Sequence, residues 1–180
     1  MNDWNMIVTA LPGIRHQHRL LEGLHLLGEF HPCEFKDVCV GHVANSEEFL
    51  ASIQQSINVN EEWTTDLGRV IPIEITFNFT PDSLAGKLKE AVTPFVTRIE
   101  GGTFYVRMER RGLPGTIISP EIEKAVAEHL FALAESQGKQ LQTSFSDPDY
   151  IIAAETIGNR CGVVLITRNM RTRYPFVQTR

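Results

Sequence analysis

The sequence predicts an α/β fold, more strictly α+β in its first half, built in two parts. Three observations lead there. Residues 1–78 read as strand, helix, strand, strand, helix, strand. A strongly alternating segment around residue 104 is followed by a well-signalled helix and then by two apolar strands. The halves also differ in charge: residues 1–78 hold four Lys/Arg against eleven Asp/Glu, net −7, and residues 79–180 hold thirteen against eleven, net +2. Such asymmetry suits a chain whose second part faces a polyanion.

Asn5 to Ala10 is short and apolar, a buried strand. Leu11-Pro12-Gly13 turns the chain into a helix with Leu20, Leu21, Leu24 and Leu27 at helical spacing, stopped by Gly28. Glu29 to Phe35 and Val38 to Val43 read as a hairpin about Lys36-Asp37, which sets Cys33 opposite Val40 and Glu34 opposite Cys39. Asn45-Ser46 caps a second helix whose apolar face is Phe49, Leu50, Ile53 and Ile57. A polar connection then leads to one long strand, with Ile71, Ile73, Ile75, Phe77 and Phe79 facing away from Glu74, Thr76 and Asn78. Pro72 lacks an N–H and marks this end of the strand as an edge. The order is that of the ferredoxin-like split βαβ fold, assigned to residues 1–78.

In residues 79–180, Thr80-Pro81-Asp82 opens a helical region carrying Leu84, Leu88, Val92, Phe95, Val96 and Ile99. Pro94 within it predicts a kink or two short helices. Gly101-Gly102 turns into a strand with Phe104, Val106 and Met108 on one face and Tyr105, Arg107 and Glu109 on the other. That strand leaves its sheet at Arg110-Arg111. Ser119 is the expected N-cap of the next helix, Pro120 its first residue, and Glu121 and Glu123 favour the positive end of its dipole. Ile122, Val126, Leu130, Leu133 and Ala134 form its apolar face, and Gly138 ends it. After Asp147-Pro148-Asp149 come two strands, Tyr150 to Ile157 and Cys161 to Thr167.

Phe104-x-Val106-Arg107, then Arg110-Arg111, a loop, Ser119-x-Glu121-Ile122-Glu123 opening a helix, Pro148-Asp149 and Ile152-x-Ala154-Glu155: this succession resembles the THUMP domain. THUMP domains are RNA-binding modules of tRNA-modifying enzymes, among them thiouridine synthetases, some tRNA methyltransferases and some pseudouridine synthases. The resemblance implies two helices before the first strand and a small ferredoxin-like domain ahead of them. It covers nearly the whole chain and is best to stand-alone THUMP adaptors that assist tRNA acetylation. It therefore implies two partners: tRNA, held by its single-stranded 3′ acceptor end, and a separate tRNA-modifying enzyme such as a cytidine acetyltransferase. Two alternatives stay open: an RNA-binding subunit of a split thiolation or methylation enzyme, and a protein-interaction module using the acidic first half.

The sequence shows no Walker loop, dinucleotide fingerprint, His-Glu-x-x-His pair, nucleophile elbow, Ser-Gly-Gly-x-Asp-Ser loop or methyltransferase glycine motif. No catalytic residue, cofactor or metal is expected, and the chain reads as non-catalytic. His31, Cys33, Cys39 and His42 lack zinc-site spacing and read as strand residues, and an odd cysteine count points to free thiols. His16 and His18 read as solvated, and Glu155 as the partner of a nearby arginine. With no signal-like segment and no apolar run of membrane-spanning length, the expected location is cytoplasmic. The candidate RNA-binding residues are Arg107, Arg110, Arg111, Arg160, Arg168, Arg171 and Arg173, with the helix start at Ser119. Tyr105, Tyr174 and Phe176 are candidates for stacking an unpaired base.

Overall fold

A computed structural model describes residues 3–180. The chain divides into two units: the residues up to Ile73 together with Met170–Thr179, and Glu74–Asn169 together with Arg180.

The first unit contains β1 (Met6–Ala10), α1 (Ile14–Leu24), β2 (Glu29–Pro32), β3 (Val38–His42), α2 (Ser46–Asn58) and β4 (Leu67–Pro72). Its sheet runs β2-β3-β1-β4 with every neighbouring pair antiparallel, so two βαβ units interleave in the split arrangement. β1 lies inside the sheet, and Met6, Ile7 and Val8 are all buried. Asn45 caps α2 by accepting the Glu48 N–H at 3.1 Å, and Phe30 of β2 stacks on Phe49 of α2 at 5.2 Å.

Two expectations change here. The hairpin does not turn on two residues: Phe30 pairs with Gly41 and Pro32 with Cys39, so the loop runs from Cys33 to Asp37. A tight turn needs left-handed backbone that Lys-Asp does not favour at both positions. The longer loop needs it at Asp37 (φ 61°), a residue type that tolerates it. Cys33, Cys39 and Cys161 are free thiols, and burial pushes Cys39 up to about 11, which keeps it unreactive. Nor is the long alternating strand a single element. β4 ends at Pro72, and β5 (Ile75–Asn78) joins the other sheet. The Ile73 N–H bonds to Asn5 of the first unit and the Glu74 N–H to Val163 of the second. A strand keeps its period of two whichever sheet receives it, so alternation carries no mark of the break.

His16 is not merely solvated. Its Nδ1 lies 2.5 Å from Asp66 Oδ1, and Arg19 Nη2 donates to the same oxygen at 2.7 Å. Asp66 is 1% exposed and ends a 3-10 turn, Glu62–Asp66. Burial pushes its carboxyl up, but the bonds from Arg19 and His16 outweigh this and hold it below the usual carboxylate range. On α1, Gly23 meets Trp63 so closely that a Cβ there would stand 2.2 Å from the indole Cδ2.

The second unit contains α3 (Leu84–Val92), a 3-10 segment (Thr93–Arg98), β6 (Gly102–Glu109), α4 (Ser119–Ser136), β7 (Leu141–Thr143), β8 (Tyr150–Ile157) and β9 (Arg160–Thr167). A short α5 (Arg168–Arg173) leads back toward the residues of the first unit. The sheet runs β5-β9-β8-β6-β7, with β6 parallel to both its neighbours and the other pairs antiparallel. Pro94 divides the first helical region as expected, with the 3-10 segment beginning at Thr93. Phe104, Val106 and Met108 of β6 share a core with Leu88 and Val92 of α3, Phe95, and Val126 and Leu130 of α4. Three-residue β7 is too short for periodicity to reveal and has no counterpart in the sequence reading. No described helix is long and apolar enough to cross a membrane.

Gly23→Ala should gain up to about 1 kcal/mol of helix propensity and lose more by displacing Trp63, a net loss of about 1–2 kcal/mol. Urea titration followed by tryptophan emission reads both effects, and an unchanged midpoint would contradict the packing. For Asp66 the sign follows from a carboxyl depressed on folding. Its contribution is full above its unfolded pKa of about 3.9 and lost as pH falls through the lower folded value. The stability gap between wild type and Asp66→Asn should therefore be widest near neutrality and close in acid.

Candidate nucleic-acid interface

β6 carries the candidate residues because its two faces have different tasks. One face enters the helix-covered core, which turns Tyr105, Arg107 and Glu109 to the other. Arg107 is exposed, and its Nε donates to the Arg180 carbonyl at 2.7 Å. Arg110, just past the strand, donates Nη1 to the Gly112 carbonyl at 2.5 Å. These two guanidiniums lie at the surface of the second unit or partly so, and each keeps donors for a phosphate.

Arg111 must be removed from the candidate surface. It is 8% exposed, and its Nη1 pairs with Glu155, which is 1% exposed. Its backbone N–H donates to Thr156 Oγ1 at 2.9 Å, and that hydroxyl donates to the Arg111 carbonyl at 3.2 Å. A guanidinium locked in this way neutralises a buried carboxylate and does not reach RNA. The expected pairing of Glu155 with an arginine is thereby explained, and the partner is Arg111.

The other candidates separate. Arg160 opens β9 and Arg168 follows it, about 26 Å apart at strand rise. Arg160 Nη2 donates to Thr76 Oγ1 at 2.7 Å. Arg168 donates to the Asp147 carbonyl at 2.6 Å and pairs with the Asp147 and Asp149 carboxylates at 3.0 and 3.3 Å. Arg171 and Arg173 belong to the first unit, where Arg173 pairs with Glu47 at 2.8 Å. Tyr174 and Phe176 are buried there, and Tyr174 donates its hydroxyl to Glu47 at 2.7 Å. Neither ring can stack a base. Ser119 opens α4 but does not cap it. The N-cap is Ile118, without a side-chain bond, because its carbonyl accepts the Glu121 and Ile122 N–H groups.

Net charge changes accordingly. Counted by structural unit, the first holds six Lys/Arg against ten Asp/Glu and the second eleven against twelve. Any attraction for a polyanion therefore rests on the local placement of arginines, not on a basic domain.

Beside β6 lies a feature the sequence reading missed. A cleft of about 240 Å³ is lined by Tyr105 and Val106 of β6, Glu123 and Lys124 of α4, Thr143 of β7, and Phe145. Phe145 is 78% exposed, and its ring is tilted against Tyr105 at 5.6 Å. The available signal was a lone phenylalanine in Ser144-Phe145-Ser146-Asp147, where nothing polar accounts for it. Among the described residues no group of three or more His, Cys, Asp or Glu is placed to hold a metal ion.

Arg111→Ala should cost about 3–5 kcal/mol, because it strands a buried carboxylate, and Arg111→Met with Glu155→Leu should recover most of it. Thermal unfolding of both variants checks this. A single mutant of wild-type stability that has lost RNA affinity would return Arg111 to the surface.

Residues 80–165 match the family model described as the THUMP domain. Comparison with curated proteins gave no match. Among solved structures, TrmN from Thermus thermophilus aligns over 91% of this chain and 45% of its own, with 20% identity and a TM-score of 0.63. PH1313 from Pyrococcus horikoshii Ot3 aligns over 91% and 55%, with 11% identity and a TM-score of 0.55. A 4-thiouridine synthetase in complex with RNA and bound ATP aligns over 91% and 41%, with 10% identity and a TM-score of 0.58. The chain thus spans about half the length of these three solved structures, and at these identities the likeness is one of fold. The second unit of this chain, over residues 80–165, carries a THUMP domain.

Proposed function

We propose that this protein is a cytoplasmic tRNA-binding adaptor. It holds tRNA by the single-stranded 3′ acceptor end and presents it to a separate modifying enzyme, of which a cytidine acetyltransferase is one form. The observation that carries this reading is the THUMP domain at residues 80–165, whose family is one of RNA-binding modules. A structure sharing its fold is that of a synthetase in complex with RNA. Arg107 and Arg110 supply the phosphate contacts, and Arg160, at the start of β9, extends them, whereas Arg168 is taken up by Asp147 and Asp149. The acidic first unit suits a protein partner better than a nucleic acid. In this reading the chain contributes positioning, which is itself a large part of catalysis.

One observation favours a second reading. The three structures compared above are about twice as long, so the chain corresponds to about half of each. The RNA-binding part of a thiolation or methylation enzyme would look the same at this level. Incubating the protein and tRNA with acetyl-CoA, S-adenosylmethionine or ATP should leave the RNA unchanged. The enzyme that co-purifies with it then separates the two readings.

Affinity for intact tRNA should exceed that for tRNA lacking its terminal nucleotides. It should fall with salt at a slope of about −0.7 per single-strand phosphate neutralised. Arg107→Ala with Arg110→Ala should weaken binding and flatten that slope by about 1–2 charges' worth. Equal affinity for both RNAs removes the acceptor-end assignment, and an unaffected double mutant removes these two arginines.

A further inference from the structure

The cleft beside β6 has three properties that belong together. First, β7 pairs with β6 only as far as Phe104–Thr143, so beyond that point no described strand covers this edge. Phe104 gives its carbonyl to the Ser144 N–H on this side, and Met108 gives its N–H to Glu123 at 2.7 Å. Alternate residues of a strand direct their peptide groups to the same side, so the N–H and C=O of Val106 open into the cleft between those two.

Second, the exposed ring is held, not loose. Phe145 sits in a loop fastened at one end by the Ser144–Phe104 bond. At the other end Asp149 accepts from the Thr103 N–H and hydroxyl, both at 2.9 Å, and Arg168 grips Asp147. A phenylalanine 78% exposed on a loop so tied keeps most of its ring in water at a fixed place beside Tyr105.

Third, the chemistry around the ring is graded. Tyr105 offers a second aromatic surface, and Lys124, on the first turns of α4, adds a cation at the rim. Lys124 stands 3.9 Å from Glu128, an exposed pair that holds it weakly. Arg107, two residues along β6 from Tyr105, lies about 7 Å farther on the same face. The volume falls below the roughly 300–1,000 Å³ of sites for drug-sized ligands and suits a single planar heterocycle.

We infer that this cleft seats one unpaired nucleobase of a bound RNA. The base stacks on Phe145 and Tyr105, its edge bonds to the Val106 peptide, and Lys124 and Arg107 take the flanking phosphates. This rests on the RNA-binding reading above and gives it a specific contact. A π-face together with one donor and one acceptor is what a nucleobase presents and an aliphatic side chain does not.

The test uses the full chain and tRNA whose 3′-terminal unpaired base is 2-aminopurine, an emitter quenched by stacking. Binding to wild type should change its emission. Phe145→Ala should weaken binding about 5- to 100-fold and abolish the change, and Phe145→Trp should restore both. Phe145 is exposed, so these variants should keep the fold, which circular dichroism checks. If Phe145→Ala binds with wild-type affinity and the same emission change, the cleft is overturned while RNA binding stands. If Phe145→Ala instead loses a partner enzyme and keeps its RNA, the cleft is a protein-docking site and the inference fails. If wild type binds neither RNA nor oligonucleotide, this inference and the functional reading fall together.

Discussion

The second unit depends on one buried charge. Glu155 sits in β8, closed off from water, and a carboxylate there is tolerable only beside a cation that also saturates its hydrogen bonds. Arg111 supplies the cation. Its peptide group is simultaneously fixed to the Thr156 hydroxyl, so the chain leaving β6 is tied to β8 through side chain and backbone together. The path after it follows from this. Leu113 adopts a left-handed backbone (φ 50°), and the N–H groups of Thr116 and Ile117 return to its carbonyl. α4 begins two residues later, in register with β6. Glu123 can therefore cap the Met108 N–H, and Lys124 can stand at the rim of the cleft.

β6 is the strand on which these effects converge. Its inner face gives Phe104, Val106 and Met108 to the core, its outer face Tyr105 and Arg107, and no described strand pairs with it on the β7 side beyond Phe104. An open edge invites pairing with another chain unless something blunts it. Here a carboxylate from α4 and an aromatic ring from the following loop do so. The same edge thus combines a backbone donor and acceptor, a π-face and nearby cations, a combination suited to single-stranded nucleic acid. Breadth of basic surface is not what makes it suitable, since neither unit is net basic.

Much of this was determined by the sequence itself. Apolar periodicity, short apolar runs and turn residues marked the helices and longer strands of both units, Asn45 and Gly138 marked helix ends, and Pro94 marked the break in the helical region. The alternation of β6 placed Arg107 outward, and an acid in the apolar strand of Glu155 demanded an arginine. These are local consequences of backbone geometry and of the cost of burying charge, and they need no knowledge of the fold. Tertiary structure decided what local rules leave equivalent. Arg110 and Arg111 are adjacent and chemically identical, yet one reaches the surface and the other is interred, because only the strand pairing of β6 with β8 says which faces Glu155. The alternation from Ile71 to Phe79 is continuous although two different sheets receive its ends. Arg173 and Tyr174 belong with Glu47, a partner 126 and 127 residues away in the chain. Phe145 and Tyr105 come together beside the end of β7 to line a cleft, and a cleft is a relation between elements that no single stretch of sequence contains.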